Sequence, residues 1–223
     1  MYTLFIGNKN YSSWSLRGWL AVKLSGAPFR EVKVQLTGVF NPDNLAFSPT
    51  ALVPALHHGE VQVWDTLAIA EYLAERHAGM WPQDPAPRAW ARSITAEMHS
   101  GFSSLRNEMA MCIRERVDVR PWSDGLASNI ARVTQLWDET RRRFGRGGPY
   151  LLGQFSIADA FYAPVAFRFR TYDVHPAGAA AEYMAALLAH PFVREWEADA
   201  LAEREVIEAD EPRVIYRDKI ARA

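Results

Sequence analysis

Residues 53–73 read VPALHHGEVQVWDTLAIAEYL, and this stretch decides the predicted fold. Two short extended runs, Pro54–His57 and Val61–Trp64, flank a tight turn at His58 and Gly59. Short apolar runs on either side of such a turn are typical of a β-hairpin. The stretch therefore predicts two antiparallel strands in the middle of the first 80 or so residues.

A helix is predicted directly after this hairpin. Asp65 or Thr66 can cap its N-terminus, and the pattern extends through His77. Apolar residues recur at helical spacing on the face that we expect to point inward, namely Ile69, Ala70 and Leu73. Residues 53–77 thus predict a β-β-α unit.

The preceding residues predict a β-α-β unit. Tyr2–Ile6 is a short apolar strand, and Ser12 and Ser13 are good caps for a helix that Gly26 can end. Glu31–Leu36 alternates between polar and apolar residues, as a half-buried strand does. The combined order, β-α-β and then β-β-α, is that of a thioredoxin-like domain.

A proline-rich segment follows at residues 78–87, AGMWPQDPAP, and predicts a boundary between domains. We predict an N-terminal domain over 1–79, a linker over 80–87 and an all-helical domain over 88–223. The expected helical blocks are Arg88–Glu115 (one long helix or two joined by a kink), Pro121–Phe144, a helix opened by Ser156, Ala179–Leu188 and Pro191–Leu201. The charged tail after them either packs or frays.

Composition excludes several classes of protein. The chain has 223 residues, 49% of them hydrophobic, and a net charge of −1, which gives no electrostatic reason to expect nucleic acid or an anionic membrane as a partner. No apolar run approaches the roughly 20 residues that span a bilayer, and the N-terminus lacks the features of a signal peptide. Cys112 is the single cysteine, so an intrachain disulfide is impossible. The expectation is a cytoplasmic protein.

Three short motifs resemble one family. SSWSLR at residues 12–17 is similar to the Ser-Ser-Cys-x-x-Arg signature of zeta-class glutathione transferases, a class that includes maleylacetoacetate isomerases. VPAL at 53–56 with DTLAIAEYL at 65–73 looks like the family's Val-Pro-x-Leu and Glu/Gln-Ser-x-x-Ile-x-x-Tyr-Leu pattern. SIAD at 156–159 is similar to the capping box that starts a core helix in the family. Trp14 replaces the class's cysteine, and Thr66 replaces its serine.

The resemblance implies a fold and an activity. The fold would be an α/β thioredoxin-like N-terminal domain followed by an all-α C-terminal domain, in a homodimer. The co-substrate would be glutathione, conjugated to a small hydrophobic electrophile. Two alternatives stay open: a glutathione-dependent cis-trans isomerase of the maleylacetoacetate type, and a non-catalytic glutathione-binding relative.

Ser12 falls on the family's thiol-activating serine, so the resemblance implies a catalytic role. A free thiol has a pKa of about 8.5 and is mostly protonated at neutral pH, whereas the thiolate is the nucleophile. A hydroxyl donor at a helix N-terminus stabilises an anionic sulfur through a hydrogen bond and through the helix dipole. Ser12 could also serve only as a helix cap, and Ser13 and Tyr11 are alternative activating hydroxyls.

The implied glutathione site draws on residues that are far apart in the sequence. The family's proline at Val53-Pro54 is cis, which turns the backbone of Val53 outward to pair with the cysteinyl backbone of glutathione. Asp65 could accept from the γ-glutamyl ammonium, and Thr66 could donate to the carboxylate. The full set of predicted glutathione-binding residues is Ser13, Arg17, Phe40, Leu52, Val53, Pro54, Asp65 and Thr66.

The electrophile is expected to bind between the domains. The predicted pocket residues are Trp14, Arg106, Asn107, Met109 and Arg168. Thr171 occupies the position at which zeta enzymes hold a substrate carboxylate with arginine, so that carry-over fails. Cys112 is expected to be a buried or half-buried helix residue. His57, His58 and His99 show no metal-ligand spacing with carboxylates, so no metal is predicted.

Overall fold

The computed structural model describes residues 1–36 and 41–220, and its first part is built on a four-stranded sheet. The strands are β1 (Tyr2–Ile6), β2 (Phe29–Lys33), β3 (Ala55–His58) and β4 (Val61–Trp64), in the order β2-β1-β3-β4. β2 runs parallel to β1, whereas β3 is antiparallel to both β1 and β4. The predicted hairpin and the thioredoxin-like order are confirmed.

Two helices, α1 (Ser13–Ser25) and α2 (Thr66–Ala74), pack against each other beside this sheet. α1 ends at Gly26, whose φ of 70° lies in the left-handed region and whose N–H bonds the Lys23 carbonyl. Ile69, Ala70 and Leu73 are buried, as their spacing predicted. α2 ends at Ala74, before His77, and just after it the Arg76 N–H donates to the carbonyl three residues back, that of Leu73, instead of four.

The second strand differs from the prediction. Its paired residues are Phe29–Lys33 instead of Glu31–Leu36, because β1 offers only five residues and each pairs with one residue of β2. Val34 makes one more bond, to the Ile6 carbonyl, and there β1 ends. The alternating burial continues through Leu36. The sequence pattern therefore predicted correctly which side chains share a face, but it placed both ends of the strand wrongly.

The second part of the chain is helical. Its helices are α3 (Pro85–Ser100), α4 (Ser103–Glu108), α5 (Asp124–Phe144), α6 (Ile157–Thr171), α7 (Gly178–Ala189), α8 (Pro191–Ala202), α9 (Pro212–Ile215) and α10 (Arg217–Ile220). α6 is central, since all of its residues except Arg170 are buried. It packs against α1, α3 and α7, so α6 and α1 join the two parts of the chain. The α/β plus all-α fold class is confirmed.

The block predicted as Arg88–Glu115 divides into α3 and α4. α3 begins at Pro85, inside the segment predicted as a linker, because a proline suits the first turn of a helix. The break follows Ser100, where Phe102 adopts a left-handed φ of 60°. The boundaries 1–79, 80–87 and 88–223 stay a prediction.

Cys112 is fully buried, but it lies outside any helix, which corrects the expectation of a helical residue. Tertiary contacts hold its segment: the Thr171 hydroxyl donates to the Cys112 carbonyl at 2.8 Å, and the Asn10 amide donates to its sulfur. The charged tail packs, through an ion pair of Arg213 with Glu115 at 2.6 Å. Across residues 1–36 and 41–220, no helix combines the length and apolarity needed to cross a membrane.

Candidate active site

Ser12 is the N-cap of α1, and its hydroxyl makes two bonds to the same residue. The Ser12 Oγ accepts from the Ser15 backbone N–H at 3.2 Å, and its O–H donates to the Ser15 Oγ at 2.8 Å. The residue is only 8% exposed, and the first turn of α1 carries no acidic side chain. The helix end is therefore capped without a neutralising negative charge.

Ser15 is a member of this site that sequence reasoning missed. It is fully buried, and its Oγ accepts both the Ser12 hydroxyl and the Gly7 N–H, the latter at 2.9 Å. The signal was available, since Ser15 lies three residues after the predicted N-cap, where a side chain can reach back to the cap. Ser15 fixes the orientation of the Ser12 hydroxyl.

A cavity of about 450 Å³ lies beside the start of α1. Its lining combines three segments that are distant in the sequence: Trp14, the stretch around Pro54, and the start of α2. The lining residues are Trp14, Thr50, Leu52, Val53, Pro54, Trp64, Asp65 and Thr66. The structure thus brings six predicted site residues into one cavity and adds Thr50 and Trp64, which carried no motif.

The Val53–Pro54 bond is cis, as the resemblance implied. Pro54 packs against α1 at Gly18, where any Cβ would come within 2.8 Å of the proline ring. Glycine at this position therefore lets α1 approach the Val53 peptide closely. Within the described residues, the backbone of Val53 forms no hydrogen bond.

The other end of the cavity is formed by Asp65, Thr66 and a histidine from α3. Asp65 caps α2 by accepting from the Leu67 N–H at 2.8 Å, with a φ of 71°. His99 places its Nε2 3.3 Å from the second oxygen of Asp65 and its Nδ1 3.5 Å from the Thr66 hydroxyl. The sequence gave no sign of this contact, because 34 residues separate Asp65 from His99.

Burial lowers the pKa of His99, and the charges of Arg17 and Arg106 lower it further against the opposing effect of Asp65. The neutral imidazole can hold its Nε2 proton toward the Asp65 carboxylate and accept the Thr66 hydroxyl at Nδ1. At neutral pH His99 is therefore an uncharged link between the two residues.

Three arginines lie around Trp14 and Ser13. The Arg17 and Arg106 guanidinium carbons are 4.6 and 5.0 Å from the Trp14 ring centroid. Arg168 donates to the Ser13 hydroxyl at 3.2 Å and to the Met109 carbonyl. No carboxylate of the described residues forms a salt bridge with any of these three guanidinium groups, and two nitrogens of buried Arg17 lack a hydrogen-bond partner there.

Burial is the main cause that lowers the pKa of Arg17. It is also the main cause that lowers the pKa of Arg168, to about 10. Mutual repulsion among the cluster adds to the lowering in both. Arginine stays charged at neutral pH even so. The start of α1 therefore lies in a region of positive potential that favours an anion.

The remaining predicted residues are elsewhere. Asn107 is exposed on α4, and the Met109 side chain is buried in the core, so neither lines the cavity. Phe40 lies outside the described residues. Tyr11 donates its hydroxyl to Glu211 and accepts from Arg114 at 2.6 Å. Burial, with the Glu211 bond, raises the pKa of Tyr11 to about 12.

Comparisons with known proteins match both parts of the chain. A profile described as the glutathione S-transferase N-terminal domain matches residues 11–76, and one described as the C-terminal domain matches residues 115–199. Maleylacetoacetate isomerase of Rattus norvegicus is 28% identical over 172 residues, 74% of each chain. A zeta-class glutathione S-transferase of Euphorbia esula is 27% identical over 163 residues, 69% of this chain and 72% of that protein.

Solved structures show the same fold. A glutathione transferase homolog from Burkholderia GL BGR1, with bound glutathione, superposes with a TM-score of 0.69 at 22% identity, covering 91% of this chain and 99% of that one. The two matched profiles together span more than half of the sequence. The chain belongs to the glutathione S-transferase family.

Proposed function

We propose that this chain binds glutathione in the cavity and that Ser12 stabilises its thiolate for conjugation to a small hydrophobic electrophile. One observation carries the proposal: a single cavity of about 450 Å³ brings Val53-Pro54 and Asp65-Thr66 together with Trp14, in the first turn of the helix that Ser12 caps. Ser12 itself is not among the residues that line the cavity. Volumes of roughly 300–1,000 Å³ are typical of small-molecule sites. The family membership gives glutathione as the co-substrate to test first.

In this proposal the tripeptide lies along the cavity. The outward-facing backbone of Val53 pairs with its cysteinyl peptide, as an added strand would. The γ-glutamyl carboxylate meets the N-terminus of α2 at Thr66, and the ammonium meets Asp65. In the same proposal, Arg17 and Ser13 act as supporting residues in the first two turns of α1. The thiol then lies at the N-terminus of the same helix, beside Ser12.

Ser12 can cap the helix and bind the sulfur at the same time. Its oxygen keeps the Ser15 N–H bond, while its proton turns from the Ser15 Oγ to the thiolate. The exchange replaces a neutral hydrogen bond, worth about 0.5–1.5 kcal/mol, with a charge-assisted one worth about 1.5–3 kcal/mol. The difference, about 1–1.5 kcal/mol, corresponds to a fall of about one unit in the pKa of the thiol.

The reaction that follows needs no redox partner. The thiol proton leaves to solvent, and the sulfur lone pair forms a carbon–sulfur bond with the electrophile. A leaving group departs with its bonding electrons, or the acceptor's double bond takes up a proton. Exposed Leu52 and Trp14 at the rim give an apolar acceptor a surface to contact.

A second candidate is the cis-trans isomerase named above. In that reaction the thiolate adds to a double bond, the single bond rotates, and elimination returns the thiolate. The charges of Arg17, Arg106 and Arg168 favour it, because these side chains form no salt bridge with the carboxylates of the described residues and could attract an acceptor that carries one. Parallel assays of conjugation, isomerisation and peroxide reduction distinguish the acceptors.

The decisive variant is Ser12→Ala. We expect kcat for conjugation of a chlorodinitrobenzene to fall about 10-fold near neutral pH, with the Kd for glutathione changed less than about threefold. The pKa of bound glutathione, measured by ultraviolet thiolate absorbance, should rise by about one unit. Ser13→Ala is the matched control, since Ser13 accepts from Arg168 and is not the cap.

Two results would contradict the proposal. No retention on immobilised glutathione would refute the binding site, and an unchanged thiol pKa in Ser12→Ala would move activation to Ser13 or Tyr11. Bound glutathione with the free thiol's pKa in the unmodified protein would indicate the non-catalytic relative. We also propose a cytoplasmic homodimer, as the family resemblance implies, and a monomer mass by sedimentation equilibrium would count against it.

A further inference from the structure

The loop between β1 and α1, residues 7–12, is buried at every position. This is unusual, because loops carry unpaired backbone groups and mostly lie at the surface. The loop ends at Ser12, and its polar residues Asn8, Lys9 and Asn10 are all less than one-tenth exposed. Its hydrogen-bond partners therefore decide where Ser12 lies.

Glu203, just after α8, supplies the central partners. Its Oε1 accepts the Lys9 N–H at 2.8 Å, and its Oε2 accepts the Asn10 N–H at 3.0 Å. Two successive backbone N–H groups form a concave anion-binding site, and here a carboxylate 193 residues away fills it. The Glu203 side chain is 6% exposed, and Lys33 lies 2.8 Å from its Oε1.

Other groups from the helical part hold the same loop. The Trp196 indole N–H donates to the Lys9 carbonyl at 3.0 Å. The Ile113 N–H donates to the Asn10 carbonyl at 3.3 Å, and the Arg114 N–H donates to the Asn10 Oδ1 at 3.1 Å. Of these partners, Glu203 is the one that bonds the loop backbone through a charged group. Its two hydrogen bonds are therefore charge-assisted, which makes them stronger than the neutral ones.

The held turn connects directly to the catalytic candidate. The N–H of Ser12 donates to the Asn8 carbonyl at 2.9 Å, and the N–H of Tyr11 donates to the same carbonyl at 3.3 Å. Lys9 and Asn10 are the two central residues of this turn. Displacement of their peptides therefore moves the Ser12 backbone, and with it the hydroxyl that must meet the sulfur.

We infer that Glu203 is a positioning residue for Ser12, acting through the Lys9 and Asn10 peptides. This inference rests on the proposed role of Ser12. Because catalytic geometry tolerates displacements of less than about 1 Å, loosening the turn weakens the Ser12–thiolate bond and leaves the peptide-binding end of the cavity intact. Glu203 does not touch glutathione in this arrangement.

The test is Glu203→Gln, which keeps the size of the side chain and removes one acceptor and the charge. We expect the pKa of bound glutathione to rise by about 0.5–1 unit and kcat near neutral pH to fall about 3- to 10-fold, with the KM for glutathione unchanged within twofold. Glu205→Gln is the matched control, because Glu205 also pairs with Lys33, at 3.1 Å. Within the part of the chain that the structure describes, its side chain forms no hydrogen bond or salt bridge with residues 8–12. We expect no effect from it.

The Ser12→Ala background separates positioning from general loosening. If Glu203 acts through Ser12, adding Glu203→Gln to Ser12→Ala should leave the thiol pKa where Ser12→Ala put it, so the two effects are not additive. Additive pKa shifts would overturn the inference, as would equal effects of Glu203→Gln and Glu205→Gln.

The outcomes also distinguish this inference from the proposal on which it rests. If the pKa of bound glutathione in Glu203→Gln equals that in the unmodified protein, while Ser12→Ala raises it, only the role of Glu203 is refuted. If Ser12→Ala also leaves this pKa at the value of the unmodified protein, both roles are refuted. If Glu203→Gln does not fold, Glu203→Asp retains the charge but reaches only one of the two N–H groups, and the same pKa rise, reduced in size, is expected from it.

Discussion

Helices α1 and α6 both begin at a buried serine, Ser12 and Ser156, and the third helical residue differs between them. In α1 that residue is Ser15, and in α6 it is Asp159. In each case the cap hydroxyl donates to the third residue's side chain, at 2.8 Å in α1 and 2.9 Å in α6. The two caps share this bond from the hydroxyl to the third side chain, and they differ in the charge of its acceptor.

The Asp159 carboxylate closes the N-terminus of α6. It accepts the Ser156 N–H at 2.8 Å and the Leu151 N–H at 3.1 Å, in addition to the Ser156 hydroxyl. Its negative charge offsets the positive end of the helix dipole. A second anion would be repelled there, so this cap can serve only stability.

The cap of α1 leaves the positive helix end uncompensated. Ser15 is neutral, and the nearby Arg17 and Arg168 add positive charge without a carboxylate in salt-bridge contact among the described residues. The Ser12 proton is held by a neutral acceptor, which a thiolate can displace. In these two helices, the charge of the residue three positions after the cap distinguishes an N-terminus that can accept an anion from one that is already neutralised.

The largest effect is expected from a change to the cap of α6. Asp159→Ser removes a buried acceptor of three hydrogen bonds. We expect the free energy of unfolding to fall by about 3 kcal/mol, since buried donors lose a charged partner. Urea denaturation measures it, and kcat for the folded fraction should stay the same.

The control for that variant is Asp124→Ser, which removes an exposed acidic residue from the first turn of α5. It should change the free energy of unfolding by no more than about 0.5 kcal/mol. Equal losses in the two variants would mean that the Asp159 network contributes nothing beyond its charge at a helix end.

The second variant converts the α1 cap into the α6 form. Ser15→Asp places a carboxylate where the thiolate needs positive potential, so the pKa of bound glutathione should rise by about one to two units and kcat near neutral pH should fall about 10- to 100-fold. Ser15→Asn, which has the same shape without charge, should cost less than a third of that pKa rise. Equal thiol pKa values in the two variants would show that charge at this position does not matter.

The smallest expected effect concerns α2, whose cap combines both features: Asp65 is acidic, and His99 holds one of its oxygens. His99→Gln should raise the KM for glutathione about three- to tenfold and leave the thiol pKa unchanged, because the proposed binding mode places His99 at the γ-glutamyl end. Isothermal titration of glutathione checks the binding.

His99 should also make the KM for glutathione depend on pH in the unmodified protein. Burial lowers the pKa of His99, so the imidazole gains its proton only below the ordinary histidine pKa of about 6.5. The added charge beside Asp65 then weakens the attraction of that carboxylate for the ammonium. In the unmodified protein the KM for glutathione should rise as pH falls through this region, and in His99→Gln the rise should be absent. A rise of the same size in both would assign it to another group.

Local patterns predicted much of the fold and part of the site. The hairpin at 55–64, the cap at Ser12 and the buried face of α2 depend on residues close together in the chain, so their order alone indicates them. The predicted bounds of β2 were wrong because a strand extends only as far as the neighbouring strand with which it pairs. Cys112 was assigned to a helix because a local pattern does not show the contacts with Asn10 and Thr171.

The order of elements, the two domain profiles and the serine at the start of α1 follow from the order of residues in the chain. The folded chain was needed to show that Glu203 holds the loop before Ser12 and that His99 contacts Asp65. It was also needed to show that Arg17, Arg106 and Arg168 lie around Trp14 and Ser13 without carboxylate partners in the described residues. The physical reason is range. Capping and periodicity act within a few residues of chain, whereas the charge and hydrogen bonds that tune a thiolate come from whichever distant residues the packing of α1 against α6 brings near.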